Sequence, residues 1–458
     1  DRIVDRNALL FELRHHFTDL DGYRAIGHLA EQEAATRQEL SSLAVARGVA
    51  RMRNHSDAVK REGLRFADVT HKYFAPHWRS GRPTVLWVTP FAICPPSHGG
   101  ARRITELAKR LSQQVNLVLL TDEGLNYQNG SQPDFSAFQA VHLFQARGDL
   151  PGQQAQDLPT RMQVHAPKQL RFELQRLQQQ YAIDLVQVEF MEAALLVDEK
   201  QGAIPFVASL HDVYVDGSQH DALQLAVLRR YDCVVTCSEE DKSWLPGITA
   251  AVVANGAADR YATSAASPLC KQILFMGPFR YQQNHSGVLA FLKEVWPALR
   301  ARHPDAELLI LGGPESADDR FASPLLRLPG VRLVSEFVDP VPVLAACALT
   351  INPQQGIRGS ALKVAESILA RRVCVSTEDG ARGFDQMGAS ALRVCSGWNS
   401  MLEEIDNLLA NADERHRLEQ SSDEVRKQLS WDSKADQMLA LYRQLIPHSF
   451  RQESNREQ

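Results

Sequence analysis

The chain has 458 residues, 44% hydrophobic and 23% charged, enough apolar material to bury large cores in two or three domains. Its formal charge of −5 and pI near 6.3 give no overall reason to expect nucleic acid as a partner. No apolar run approaches the roughly 18 residues a membrane span needs, and the opening DRIVDRNALLFELRHH lacks the charged-then-apolar form of a secretory signal.

A cytoplasmic protein is therefore expected, with attachment to the surface of the inner membrane left open. The seven cysteines (Cys94, Cys233, Cys237, Cys270, Cys347, Cys374, Cys395) are odd in number and lie mostly in apolar runs such as YDCVVTC. That reads as buried reduced thiols in a reducing compartment. Cys233 and Cys237 are close in sequence but have no neighbouring histidine, so no zinc site is expected. A chain beginning with Asp reads as a segment of a longer polypeptide.

Residues 1–80 are rich in Arg, His, Glu and Ala, with Leu10, Leu13, Phe17, Leu20, Leu40 and Leu43 at helical spacing. They predict an amphipathic helical arm broken near Asp21-Gly22. Acidic residues mixed through it favour a packing or oligomerisation element, in a homo-oligomer or a larger multidomain chain, over a membrane-surface helix. From Thr84 the texture changes. TVLWVTP, a helix from Ala101 to Gln113, VNLVLLT, DLVQVEF, PFVASLHD, CVVTCS and AAVVANG alternate strand and helix. QILFMGP, a helix over 286–300, AELLILGG, VRLVSEF, ALTINP, a helix opening near Ser360, and VCVST repeat the theme.

This alternation implies parallel strands with crossover helices: an α/β chain of two tandem Rossmann-like, doubly wound domains behind the helical arm. The expected boundaries are 1–80 for the arm, 81–258 and 271–430 for the two domains, and 259–270 for a linker in GAADRYATSAASPLCK. A helix over 431–447 with Trp431, Ala435, Met438, Tyr442 and Leu445 on one face would cross back as a strut, and 448–458 would be a frayed polar tail.

Ligands of such sheets bind beyond the carboxyl ends of the strands, which selects SHGGARR, LHDVY, GPFRYQQN, LGGPES and GIRGSALKVAES. Neither glycine pair forms G-x-G-x-x-G and no P-loop is present, so dehydrogenase and NTPase readings are weak. In GIRGSALKVAES, Gly356 and Gly359 allow close backbone approach, and Ser360 is a good N-cap. Lys363 falls in the first helical turn, where a cation alone is unfavourable by roughly 0.3–1 kcal/mol. An anion held there reverses the sign, because amide dipoles and ammonium then both attract it. Lys363 and Glu366 share a helix face, which suits a nucleoside diphosphate with phosphates at the lysine and ribose at the glutamate. The same two residues also suit an ordinary surface ion pair.

Order and spacing over residues 84–446 resemble the retaining, nucleotide-sugar-dependent glycosyltransferases of the GT-B fold, glycosyltransferase family 4. The resemblance rests on VVANGAADRY, on ILFMGPFRYQQNHSGVLAFLKEVWPALRARHPDAELLILGG, and above all on INPQQGIRGSALKVAESILARRVCVSTEDGARGF. It implies that Lys363 meets the donor diphosphate and Glu366 the ribose, with Gly359 and Ser360 beside them. It also implies that Gly99 and Gly100 form a glycine loop near the donor, and that His211 faces the transferred sugar; as a residue type His211 also fits a core or capping role. Arg280 lies where a phosphate-binding base often sits in the family.

Two departures stand out. Arg358 occupies the place of the family's first glutamate, where it is expected to add positive charge for the donor phosphates, unless backbone amides of GSAL hold the sugar or donor turnover is impaired; Arg372 stands where a glycine is usual after the helix. The resemblance further implies transfer of a sugar from a nucleotide sugar to a glycan or lipid-linked glycan acceptor, with retention and with no metal or other cofactor, as in polysaccharide biosynthesis. Lys363 and His211 are the candidate catalytic residues, and acceptor loops are expected over 124–165. Two rivals stay open: a sugar-nucleotide 2-epimerase of the same architecture, and a non-catalytic nucleotide-sugar or glycan-binding module.

Overall fold

The computed structural model describes residues 79, 81–96, 98–122, 134–143, 157–215 and 221–454. The expected helical arm lies outside the described residues, as does much of the expected acceptor-loop region.

The first sheet is built from β1 (Thr84–Thr89), β2 (Asn116–Thr121), β3 (Ala140–Leu143), β4 (Leu185–Glu189), β5 (Phe206–Ser209), β6 (Cys233–Thr236) and β7 (Ala250–Val252), in the order β3-β2-β1-β4-β5-β6-β7. The second contains β8 (Gln272–Met276), β9 (Glu307–Leu311), β10 (Val331–Val334), β11 (Leu349–Asn352), β12 (Val373–Thr377) and β13 (Leu392–Cys395), in the order β10-β9-β8-β11-β12-β13. All pairings are parallel. Helices cover both faces, which is why strands such as TVLWVT are buried throughout instead of alternating. Each order reverses once, between β1 and β4 and between β8 and β11, and a crevice opens at such a switch point.

Four helices position the site: α1 (Gly99–Leu111), α2 (Gln282–Glu294), α3 (Leu362–Leu369) and α4 (Trp431–Leu445). Helix α4 leaves the second domain and packs beside α1 on the first sheet. There Trp431, Met438 and Tyr442 join Val85, Trp87, Ile104 and Leu107 in one apolar cluster. Burying a side chain of that size contributes about 1.5–3 kcal/mol, so the strut is part of the first domain's core. Residues 254–257 seal the junction, with Ala257 N–H donating to Leu429 O at 2.8 Å and Gly256 against Trp431.

Several sequence expectations shift. Helix α1 starts at Gly99, because the His98 ring caps it by accepting from Ala101 N at 3.2 Å, so both glycines lie inside the first turn. The single helix expected over 286–300 is two, Gln282–Glu294 and Trp296–Arg302, because Pro297 has no N–H to continue the ladder. The tail expected to fray forms a helix over Pro447–Ser454; Phe450 packs on the first core, and Ser449 Oγ donates to Asp184 at 2.6 Å. The left-handed residue after α3 is Arg371 (φ 52°), not Arg372. Arg371 N–H returns to Ile368 O and Arg372 N–H to Ser367 O, a Schellman turn that usually carries glycine at the first of these positions. Arg372 is buried, its guanidinium donating to the carbonyls of Leu344, Ala345, Ala370 and Arg371. The seven cysteines are all free, and all but Cys270 are buried.

Candidate active site

Loops at the carboxyl ends of both sheets meet, and they carry the residues singled out from sequence. From the first sheet come Gly99 and Gly100 after β1, and His211 after β5. From the second come Arg280 after β8 and the Gly356–Lys363 segment after β11. The two domains meet closely here. A Cβ on Gly99 would lie 3.4 Å from Leu362, so the amino ends of α1 and α3 oppose each other. A Cβ on Gly100 would come within 2.5 Å of Phe190 and 3.0 Å of His211 Nδ1. Gly359, at φ +63°, lies against the His211 carbonyl oxygen and Asp212 from the other side, leaving no room for a side chain. Each helix end carries roughly half a positive charge, though only α3 lacks a side-chain cap, so an anion at the junction is attracted by both dipoles.

His211 is firmly placed. Its Nε2 lies 2.8 Å from Glu189 Oε2, and its ring stacks on Phe190 with centroids 3.9 Å apart and planes 12° from parallel. Phe190 holds φ 68° and ψ 148°, a region that L side chains rarely adopt and that costs on the order of 1–3 kcal/mol. Such strain concentrates at functional sites, and here it lays an aromatic face on the histidine. Next in sequence, Asp212 is pushed up to about 6 by burial, with Glu192 and Asp241 adding to the rise while His211 and Arg358 oppose it.

On the second-domain side the charged candidates are gathered at the cleft, each with a protein partner. Lys363, in the first turn of α3, donates from Nζ to Asn284 Oδ1 at 2.6 Å and stands over the Phe275 ring at 4.4 Å. Burial pushes its ammonium down to about 7. Asn284, at the start of α2, also accepts from Gln354 Nε2 at 2.8 Å and donates to Pro278 O at 2.8 Å. Glu366 is buried and pairs with Arg102 of α1 at 3.1 Å, a bridge between domains. Arg280 pairs with Glu315 at 2.8 Å, and the Arg358 guanidinium lies 4.8 Å from the Tyr214 ring centroid, with Arg161 over the same ring at 5.0 Å.

Ser360 does not cap α3. The N-cap is Ala361, without a side-chain hydrogen bond, and Ser360 Oγ instead accepts from Asn255 Nδ2 at 2.9 Å across the cleft. That leaves the first amides of α3 without a side-chain cap, which suits an external acceptor better than the cap expected from sequence.

Sequence reasoning missed Glu189, Phe190, Asn284 and Arg102. Glu189 carried a usable signal, as a carboxylate at the end of the apolar run DLVQVEF. Arg102 lies two residues after the glycine pair. Nothing local distinguished Asn284 or the conformation of Phe190. Among the described residues, no group of three or more His, Cys, Asp and Glu side chains converges as a metal site would require.

Comparison with known proteins bears on the fold and the second domain. Residues 270–411 match the family described as glycosyl transferases group 1. No curated protein matches the chain in sequence. Among solved structures, sucrose-phosphate synthase from Thermosynechococcus elongatus superposes with a TM-score of 0.63 at 16% identity, covering 80% of this chain and 100% of that one. HepE from Anabaena, in complex with UDP and glucose, gives 0.58 at 12% identity over 79% and 99%. A trehalose-6-phosphate synthase studied with bisubstrate glycomimetics, and described as catalysing glycosyltransfer with retention, gives 0.58 at 13% identity over 78% and 99%. The chain thus has the GT-B fold of two Rossmann-like domains, and its second domain is similar to the glycosyl transferases group 1 domain.

Proposed function

We propose that the protein is a glycosyltransferase that moves a sugar from a nucleoside-diphosphate sugar to an acceptor hydroxyl, with retention and without a metal. The observation that carries this reading is the pair of opposed helix amino ends at Gly99 and Leu362, flanking a histidine held by Glu189 and clasped by Gly100 and Gly359. A diphosphate at that junction meets the uncapped first amides of α3 and the amino end of α1, where His98 already holds one amide, and Lys363 beside it takes up a proton as the anion arrives. Once released from Arg102, Glu366 is placed to accept from ribose hydroxyls. As the anomeric bond to the diphosphate breaks and the acceptor hydroxyl attacks, charge grows on the leaving group. A preorganised donor at that point supplies about 2.7–4 kcal/mol. Supporting the donor class are the UDP in the HepE complex and the UDP-forming trehalose-phosphate synthase from Burkholderia xenovorans among the similar structures. Retention is supported by the trehalose-6-phosphate synthase comparison. The acceptor is proposed to be a glycan or lipid-linked glycan, and the site of action the cytoplasm.

The test is a donor screen: the full chain is incubated with UDP-, GDP- and dTDP-sugars, and free nucleotide is read out with and without glycan acceptors. Consumption of one donor with release of its nucleoside diphosphate is expected; a nucleotide bound away from the α1–α3 junction would overturn the assignment. One observation favours a second reading. Asp212, at about 6 and beside His211, is a carboxyl of the kind a sugar-nucleotide 2-epimerase needs for proton transfer. That reading requires an epimerised nucleotide sugar to appear with no acceptor present.

A further inference from the structure

Helix α4 does more than cover the first sheet. Trp87 Nε1 lies 2.9 Å from Tyr442 Oη, Tyr442 Oη lies 2.6 Å from Gln187 Oε1, and Gln187 Nε2 lies 2.5 Å from Glu189 Oε1. The other oxygen of Glu189 meets His211 Nε2 at 2.8 Å. Trp87, Gln187 and Tyr442 are fully shielded from solvent, and Glu189 is 2% exposed. Four hydrogen bonds therefore run through a dry interior from an indole to the histidine at the cleft.

The polarity of this chain is set at its far end. An indole N–H can only donate, so Tyr442 accepts from Trp87 and its own hydrogen points to Gln187. Burial holds the Tyr442 hydroxyl far above the ordinary tyrosine range, so it keeps that hydrogen. Gln187 must then present its carbonyl to the tyrosine and its NH2 to Glu189. With one carboxylate oxygen taken by the amide, the other is left as an acceptor for His211 Nε2–H. The Nδ1 edge, the one facing Gly100 and the amino end of α1, is thereby left without a proton in the neutral ring.

We propose that Trp87, Tyr442 and Gln187 are positioning residues that act through Glu189 to hold His211 in the Nε2–H tautomer, so that α4 determines which ring nitrogen the cleft receives. The role of that nitrogen in sugar transfer rests on the function proposed above; the tautomer itself does not. Tyr442 and Gln187 are 255 residues apart in sequence, so the ring is set only when α4 has docked on the first sheet.

The test is long-range 1H–15N correlation on the full chain labelled at histidine, with the His211 signals assigned by their loss in His211→Gln. Measured where the ring is neutral, the unaltered protein should show it protonated at Nε2. Gln187→Met, which removes the bond made to Glu189 and lets the carboxylate turn from the ring, should move the tautomer ratio roughly tenfold toward Nδ1–H, and Tyr442→Phe, which removes a bond between neutral groups, should move it the same way by less. Two variants guard against misfolding in either one. Once a donor has been found, kcat for its turnover should fall in both variants in parallel with the Nε2–H fraction, while KM for the donor stays unchanged. A ring that remains Nε2–H in both variants, or that is Nδ1–H in the unaltered protein, overturns the relay. A shifted tautomer with unchanged kcat overturns its link to the chemistry. Absence of donor turnover in the unaltered protein sinks the proposed transferase activity and leaves the tautomer measurement to judge the relay alone.

Discussion

The half of the cleft contributed by the first sheet and the half contributed by the second hold their functional side chains in different ways. On the first-sheet side His211 is fixed by Glu189, by the stacked Phe190 and by a buried chain of hydrogen bonds, all within one domain core. On the second-sheet side every charged candidate rests on a partner that a ligand would have to replace: Lys363 on Asn284, Glu366 on Arg102, Arg280 on Glu315, Arg358 over Tyr214. One half is preorganised, and the other is in standby. The sugar-facing role proposed for His211 would gain from rigidity, because such a group's geometry must be met at the transition state. An anion-binding group in a dry cleft cannot stand bare, because an unpaired buried charge is costly, so it is paired or neutralised until the ligand arrives.

Removing the ammonium tests that contrast most severely. Lys363→Ala should leave the fold intact, since the site already tolerates the amine near neutrality, and should lower donor turnover by roughly 10²–10³, as loss of one preorganised group at a developing charge does. Gly359→Ala comes next. The new methyl would meet the His211 carbonyl, and a left-handed alanine adds about 1–2 kcal/mol, so the domains should be pushed apart and turnover should fall with a lowered Tm. If the variant instead matches the parent in Tm and turnover, the close contact across the cleft is not part of the working enzyme.

The acidity of Lys363 sharpens the comparison through pH. Burial holds it at about 7 without ligand, and a bound diphosphate raises that value by opposite charge. Below about 7 the ammonium is already formed. Above it each bound nucleotide must bring a proton, so affinity should fall by roughly tenfold per pH unit until the raised value is reached. Calorimetry in buffers of different ionisation enthalpy would count the proton taken up near pH 8. Stability of the free protein runs the other way. Between about 7 and 10.5 the unfolded chain binds the proton that the folded one refuses, so Tm should rise with pH across that window, and less so in Lys363→Met.

Much of this was legible in the sequence, for a physical reason. Parallel strands covered on both faces read as unbroken apolar runs, and TVLWVT, NLVLLT and QILFM are such runs. The strands that escaped, Ala140–Leu143 and Leu392–Cys395, are four-residue edge strands interrupted by His142 and Arg393. At the site, residue types were legible and their partners were not. Lys363 and Glu366 suit an anion and a ribose by kind and spacing, and suit an ordinary ion pair as well; the structure pairs them with other residues instead. Asn284 and Arg102, which hold them in the free protein, are 79 and 264 positions away. The turn after α3 was misplaced by one residue because Arg371 takes a left-handed position that local rules assign to glycine.

The smallest expected effect is the most discriminating. Arg102 is over a third exposed while its partner Glu366 is buried, so their bridge joins the domains at modest net gain, about 0–1 kcal/mol for a pair open to solvent on one side. If the second half of the cleft is in standby, Arg102→Ala frees Glu366 for the ribose and spares the nucleotide the cost of displacing the guanidinium. Affinity for the nucleoside diphosphate should then rise severalfold, and most at low salt, where the bridge is strongest. If Arg102 serves the phosphates directly, the same change weakens binding and flattens its salt dependence. A fluorescent nucleotide titrated at two ionic strengths separates the outcomes. A loss of affinity would place Arg102 among the preorganised residues of the first half and dissolve the division between the two.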